Sequence, residues 1–278
     1  MLPSLYIPSY KLFGLLPIEP FGVLVALAVL LGYSLGRRRA RVVGLDPDLC
    51  ADGMVWMAVI GFVVAHLVSV IFYFPEKILE DPLVLVAVWS GISSFGGLLG
   101  GAAAAWWYFR RHGVSVLRYA DAILFGFVPA WILGRLGCTI VFDHKGLETN
   151  YWLGMADRAG VVHHNLGLYE LLVAIVLTVV LYALRRLRCG PGFHCGLMLL
   201  LYSPVRFGLD WLRTADRLYW GLTPGQYFAA LSLLLGAGLI VRSLRTGEPG
   251  EPSEPKATPP AEAPPAEAPP VVSPPEQG

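Results

Sequence analysis

Apolar positions dominate seven long stretches of the chain, roughly Phe13–Leu35, Met54–Phe74, Pro82–Tyr108, Tyr119–Phe142, Leu166–Leu184, Phe193–Leu212 and Leu222–Val241. Each is built mainly from Leu, Val, Ala, Ile and aromatic residues, with glycine frequent, as in helices that pack inside membranes. A helix needs about 20 such residues to cross a hydrocarbon core of about 30 Å. The pattern predicts an all-α polytopic membrane protein with seven transmembrane helices, occupying residues 1–246. No fixed-period repeat or inverted half-to-half similarity is visible, which argues against a transporter built from repeats.

Polar segments set the orientation. Arg37, Arg38, Arg39 and Arg41 follow the first stretch; Arg110, Arg111 and Arg118 lie between the third and fourth. Arg185, Arg186 and Arg188 separate the fifth and sixth, and Arg242 and Arg245 follow the last. The alternate loops hold few basic residues, such as Lys77, Lys145 and Arg158. The positive-inside rule then puts the N-terminus outside and the C-terminus in the cytoplasm. The beginning MLPSLYIPSYK lacks the basic leader and small-residue cleavage site of a signal peptide, so the first span is expected to remain in the mature protein. From Gly247 to Gly278 the composition turns to Pro, Ala and Glu, and an extended, disordered cytoplasmic tail is expected.

The composition agrees with a bilayer-embedded chain: of 278 residues, 55% are hydrophobic and 15% charged, with a net charge of +1. A soluble domain carries more charge and shorter apolar runs. The four cysteines, Cys50, Cys138, Cys189 and Cys195, form no disulfide framework by spacing. Cys189 and Cys195 flank His194, but no second ligand cluster accompanies them. No metal, cofactor or nucleic-acid partner is expected.

The informative residues are ionisable groups at membrane depth, where a charge costs a few kcal/mol, about 3 by insertion scales. Arg135 lies in the outer third of the fourth span between Gly134 and Gly137, with Asp143 and His144 at its exit. Arg206, Asp210 and Arg213 share one helical face in the sixth. His164, Tyr169 and Glu170 stand at the entrance of the fifth, and His66 lies in the second. Helix-to-helix salt bridging accounts for some of these, Asp210 with Arg206 above all. Arginine also presents a planar fork suited to phosphate. The flanking glycines let another backbone or a ligand approach Arg135 closely. An arginine-lined cavity at headgroup depth suits an anionic phospholipid.

Several segments carry a family resemblance. GRLG at Gly134–Gly137, HHNLGLYE at His163–Glu170, RFGLDWLRTAD at Arg206–Asp216, TPGQYFAALSLLLG around Gly225–Gln226 and SGISSFGGLLGG at Ser90–Gly101 occur in this order. Together they resemble the prolipoprotein diacylglyceryl transferases, over about Pro8 to Arg245. The resemblance implies a seven-span enzyme of the bacterial inner membrane, with its active site toward the outer leaflet. It implies transfer of diacylglycerol from phosphatidylglycerol to the signal cysteine of a prolipoprotein, with phosphatidylglycerol, prolipoprotein signal peptides and membrane lipids as partners.

By the same resemblance Arg135 and Arg213 hold the phosphate and stabilise the departing glycerol phosphate, and Glu170 or His66 is the candidate base. Arg206, Asp210, Gly96, Gly97, Gly134, Gly137, Tyr169 and Asp143 join them as substrate-binding candidates. Other positions leave the family pattern. Phe95 replaces its histidine, Phe21 a tyrosine, Cys138 the signature asparagine, Asp143 the signature glutamate and His66 an arginine. These departures keep alternatives open: a paralogue that binds lipid without transfer, a transporter, or another lipid-modifying enzyme. A resident Cys138 thiolate accepting diacylglycerol is a further thought.

Overall fold

The computed structural model describes residues 2, 7, 10–12, 16–87, 93–157, 159–187, 189–214 and 218–247. The Pro-rich segment beyond Gly247, Arg158, Arg188 and Asp216 lie outside these residues, as does the start of the glycine-rich stretch at Ser90.

Strands β1 (Tyr10–Leu12) and β2 (Leu16–Ile18) form an antiparallel hairpin that leads into α1 (Pro20–Val42). Helix α2 (Pro47–Val68) follows and runs on as one π-helical turn to Tyr73. A short α3 (Pro75–Glu80) and a 3₁₀ turn (Pro82–Leu85) precede α4 (Ser94–Arg111). After α5 (Val116–Val141), strands β3 (Lys145–Glu148), β4 (Met155–Ala156) and β5 (Val162–Asn165) form an antiparallel sheet in the order β3-β5-β4. Helices α6 (Leu166–Ala183), α7 (Phe193–Asp210) and α8 (Pro224–Thr246) complete the chain.

Local chemistry explains the helix starts. Proline opens α1, α2 and α8, where its missing N–H costs nothing. Asp46 accepts from the Asp48 and Leu49 amides to cap α2, and Asn165 accepts from Leu168 N to cap α6. Thr223 and Gln226 form a reciprocal capping box at α8. Helix α7 begins at Gly192, which has φ +93 and no side chain to cap with. Asp121 of α5 supplies the cap instead, accepting from Gly192 N at 2.7 Å and Cys195 N at 2.9 Å.

The helices pack as pairs: α1 on α5, α2 on α4, α7 on α8, and α5 on α6. Small residues permit the approach. A Cβ at Gly126 would lie 2.7 Å from Gly36 N, so α1 and α5 meet backbone to backbone. Gly196 and Gly236 do the same for α7 and α8, each at 2.9 Å from the other's carbonyl oxygen by the same measure. Apolar side chains such as Leu30, Val59, Val179 and Leu234 point outward, as lipid-facing positions must.

Among the described residues the molecule is mostly helical, and five helices are long and apolar enough to cross a membrane: α1, α2 with its π turn, α5, α6 and α8. Helices α4 and α7 span 18 residues each and carry Arg110 and Arg111, and Arg206 and Asp210, respectively. Three details differ from the sequence reading. The chain is not wholly α-helical, because among the described residues five short strands flank the helices. The first helix starts at Pro20 and not Phe13, since Tyr10–Ile18 pairs as a hairpin. The third expected stretch is not one helix from Pro82: a 3₁₀ turn ends at Leu85 and α4 begins only at Ser94, whose predecessor Ser93 caps it through Gly96 N.

Candidate functional site

The ionisable groups of α5, α6 and α7 converge beside the three-stranded sheet. Arg135 projects from α5 and brings Nη2 to 2.6 Å from Oε2 of Glu170 on α6. Glu170 is 2% exposed and sits in the second turn of its helix, where the positive end of the dipole favours a carboxylate. Its other oxygen, Oε1, lies 3.5 Å from Nη1 of Arg206 on α7. The same Arg206 nitrogen pairs with Oδ1 of Asp210, one turn on, at 2.6 Å. Arg213 Nη1 reaches that oxygen at 4.0 Å.

Helix α8 closes the far side. The Thr223 hydroxyl donates to Asp210 Oδ2, so the residue that caps α8 also holds the α7 carboxylate. Gly225 lies so close that a Cβ there would collide with Asp210 Oδ2 and stand 3.1 Å from Arg206 Nη2. Gln226, fully buried, donates Nε2 to the Phe207 carbonyl at 3.4 Å. The exit of α7 is tied to the sheet, with Leu147 N donating to Leu212 O at 2.9 Å and Arg213 bridging Gly146.

Among the described residues, Arg135 and Arg206 flank Glu170, and Arg206 and Arg213 meet Asp210, in a region of low dielectric. Donor capacity is left over at Arg135. Its Nε is buried without a hydrogen-bond partner, although the guanidinium lies 5.4 Å from the Trp131 ring centroid. An oxyanion is the ligand that a spare guanidinium donor favours.

The neighbouring residues fall into three groups. Around Arg135, a Cβ at Gly134 would meet nothing within 4 Å, leaving the backbone open, whereas Gly137 packs under the Phe21 ring. Cys138 is buried, with Sγ 4.0 Å from Arg135 Nη1. Asp143 and His144 form a 2.8 Å pair just beyond the end of α5.

Tyr169 turns toward the sheet, its hydroxyl 2.7 Å from Nδ1 of His164. Burial there pushes the His164 imidazole below its usual range.

His66, Gly96 and Gly97 belong to the α2–α4 pair. His66 is fully buried with Nε2 2.9 Å from the Val84 carbonyl. A Cβ at Gly96 would come within 2.9 Å of Ala65 Cα and Val64 O, and Gly97 faces Ala65 and Gly61, so both glycines serve helix packing. Phe95 lies in the first turn of α4.

Relative to the sequence reading, the structure joins Arg135, Glu170, Arg206 and Asp210. It makes Arg206, not Arg213, the closer companion of Arg135 through Glu170. Sequence reasoning missed Tyr202, which interacts with Glu170, Arg135 and Arg206, and Thr223. Tyr202 had a legible signal, since it stands four residues before Arg206 on the same helical face.

Comparison with known proteins gives a consistent picture. The family model described as prolipoprotein diacylglyceryl transferase matches residues 9–242. A phosphatidylglycerol–prolipoprotein diacylglyceryl transferase of Chromohalobacter salexigens is 32% identical over 237 residues, covering 81% of this chain and 88% of that protein. The protein of the same name from Roseobacter denitrificans is 30% identical over 262 residues, covering 78% of this chain and 89% of its own. That of Staphylococcus xylosus is 28% identical over 242 residues, with 82% and 86% covered.

Proposed function

Because the chain belongs to the prolipoprotein diacylglyceryl transferase family, we propose that it transfers diacylglycerol from phosphatidylglycerol to the cysteine thiol of a prolipoprotein signal peptide. The observation that carries this reading is the pair of arginines, Arg135 and Arg206, set on either side of the buried Glu170, with the Arg135 Nε donor unspent. A phosphodiester is anionic and planar forks fit it.

In the reaction the acceptor sulfur attacks the diacylglycerol carbon that bears the phosphate. The C–S thioether forms, the C–O bond breaks and glycerol phosphate leaves with the electron pair. The thiol proton passes to a base or to solvent. Arg135 and Arg206 stabilise the charge that grows on the leaving phosphate, and Glu170 and Asp210 hold the two arginines in place. Arg213, 32% exposed, stands at the rim and draws in the headgroup.

The finer topology belongs to the same reading. Helices α4 and α7 complete seven spans, the arginine-rich ends of α1 and α8 face the cytoplasm, and the network opens toward the outer leaflet of a bacterial inner membrane.

The test gives purified protein phosphatidylglycerol and a peptide carrying a lipobox cysteine. A thioether-linked product from the native chain, lost with Arg135→Ala, supports the reading. Full product from that variant, or none from the native chain, overturns it. Lipid binding without product would favour a paralogue that holds phospholipid without transfer.

A further inference from the structure

Cys138, Asp143 and His144 lie together at the end of α5. One ligand atom from each, the thiol sulfur, a carboxylate oxygen and a ring nitrogen, falls within 4.8 Å of the other two. We infer that these three side chains form a binding site for a thiophilic divalent cation of the Zn²⁺ class, beside the arginine network.

The donor set is that of zinc: soft thiolate, borderline imidazole and carboxylate. Bonds of about 2.3 Å to sulfur and about 2.0–2.2 Å to nitrogen and oxygen place ligand atoms about 3.4–3.6 Å apart around a tetrahedral ion. Side-chain rotation reaches that geometry by opening the His144 Nδ1–Asp143 Oδ1 pair from 2.8 Å and drawing in the sulfur, which lies within 4.8 Å. Little backbone motion is needed, because both ends of the motif rest on the start of α6. The Leu166 amide donates to the His144 carbonyl at 3.1 Å, and Gly167 packs so closely that a Cβ there would lie 3.0 Å from the Cys138 carbonyl carbon. Phe142 turns the chain sharply between the ligands with φ 57. An ion enters from the Asp143 side, where the carboxylate is 42% exposed.

Charge has to be offset at the site, because Arg135 Nη1 stands 4.0 Å from the Cys138 sulfur. Thiolate and carboxylate balance a dication, so Arg135, held at 2.6 Å by Glu170, keeps its own partner.

Three protein ligands leave one position of a tetrahedral ion for an outside group. On the transfer reading above, on which this step rests, that group is the acceptor thiol. Coordination removes its proton to solvent and leaves the sulfur lone pair to form the C–S bond. The cation thereby supplies the activation that a side chain such as Phe95 cannot.

The test uses the full chain in detergent, stripped with a chelator and titrated with Co²⁺, which reports thiolate ligation through a sulfur-to-metal charge-transfer band. The inference expects a band at one ion per chain, displaced by Zn²⁺, lost in Cys138→Ser and weakened about tenfold or more in His144→Ala. Cys189→Ser and Cys195→Ser should keep it, and circular dichroism should show the Cys138→Ser chain folded. No band, or a band that survives Cys138→Ser, overturns the site. Transfer is measured on the same samples: product without a band removes only the cation, whereas a band without product removes the transfer reading. If both occur and chelation leaves the rate unchanged, the role in thiol activation falls.

Discussion

Two buried carboxylate clusters lie in the helical bundle, and they handle their charge in different ways. Asp121 of α5 accepts from two backbone amides at the start of α7. Its neighbour His194 meets the Leu184 carbonyl at 3.4 Å, and Arg39 donates Nη2 to the Arg185 carbonyl at 2.9 Å and lies 4.0 Å from the centroid of the Phe125 ring. Each group there has a protein partner. In the Glu170–Asp210 cluster, Nε of Arg135 is left without a hydrogen bond. A structural cluster closes on itself. A binding cluster keeps capacity for what it has yet to hold.

The comparison breaks most visibly at Arg135 and Arg206. Alanine at either should lower the rate of thioether formation by about 10²- to 10³-fold, the cost typical of losing a donor aimed at developing charge. Helical content should be unchanged by circular dichroism. Glu170→Gln should fall between these variants and the native chain, because the amide still touches both arginines but no longer fixes them by charge. A rate near native for Arg206→Ala would mean that the network only holds helices together.

Asp121→Ala tests the closed cluster. Two buried amides lose their acceptor, a loss of about 2–4 kcal/mol in stability. The apparent melting temperature in detergent should drop, while the rate per folded molecule stays close to native. A catalytic loss without destabilisation would erase the distinction between the two clusters.

Much of this organisation was legible before any coordinates. The long apolar runs marked the helices because a bilayer leaves the chain few alternatives. The spacing of Arg206, Asp210 and Arg213 showed a shared helical face. The convergence of three helices on Glu170 was not legible from spacing, because helix periodicity carries no information about which faces meet. The residue that bridges them, Tyr202, passed as one more aromatic in a span. Gly96 carries a fact that the motif does not: a Cβ there would stand 2.9 Å from Ala65 Cα, so the residue packs closely on α2. The hairpin before Pro20 was hidden for a related reason, since a short apolar run reads equally well as strand or helix.

Arg213 is expected to matter less than its place in the motif suggests. It is a third exposed and meets Asp210 at 4.0 Å, the geometry of a rim charge. Arg213→Ala should raise the KM for phosphatidylglycerol about two- to fivefold, the range of an exposed pair, and leave kcat nearly unchanged. The effect should shrink at high salt. A loss as large as that of Arg135→Ala would move the phosphate site outward, toward the sheet.

The smallest expected effect concerns a third carboxylate, closed like Asp121 but set in water. Asp157 accepts from Lys145 Nζ at 2.6 Å and from the Ala159 and Val161 amides at 2.9 and 3.0 Å, with His163 Nε2 at 3.4 Å. The Lys145 hydrogen bond leads in holding its carboxyl below the usual carboxylate range, helped by the two amides. A folded value below the unfolded one means that its contribution is complete above about pH 4 and is lost as pH falls through the folded value. The hydrogen-exchange protection factors of the β4–β5 amides should therefore fall on acidification below about pH 4. Asp157→Asn should flatten that dependence while the helices keep their protection. If the native sheet shows no acid dependence, solvent screens the Lys145 contact too well for it to order the loop. Closure of a carboxylate cluster would then stabilise the fold only where lipid excludes water.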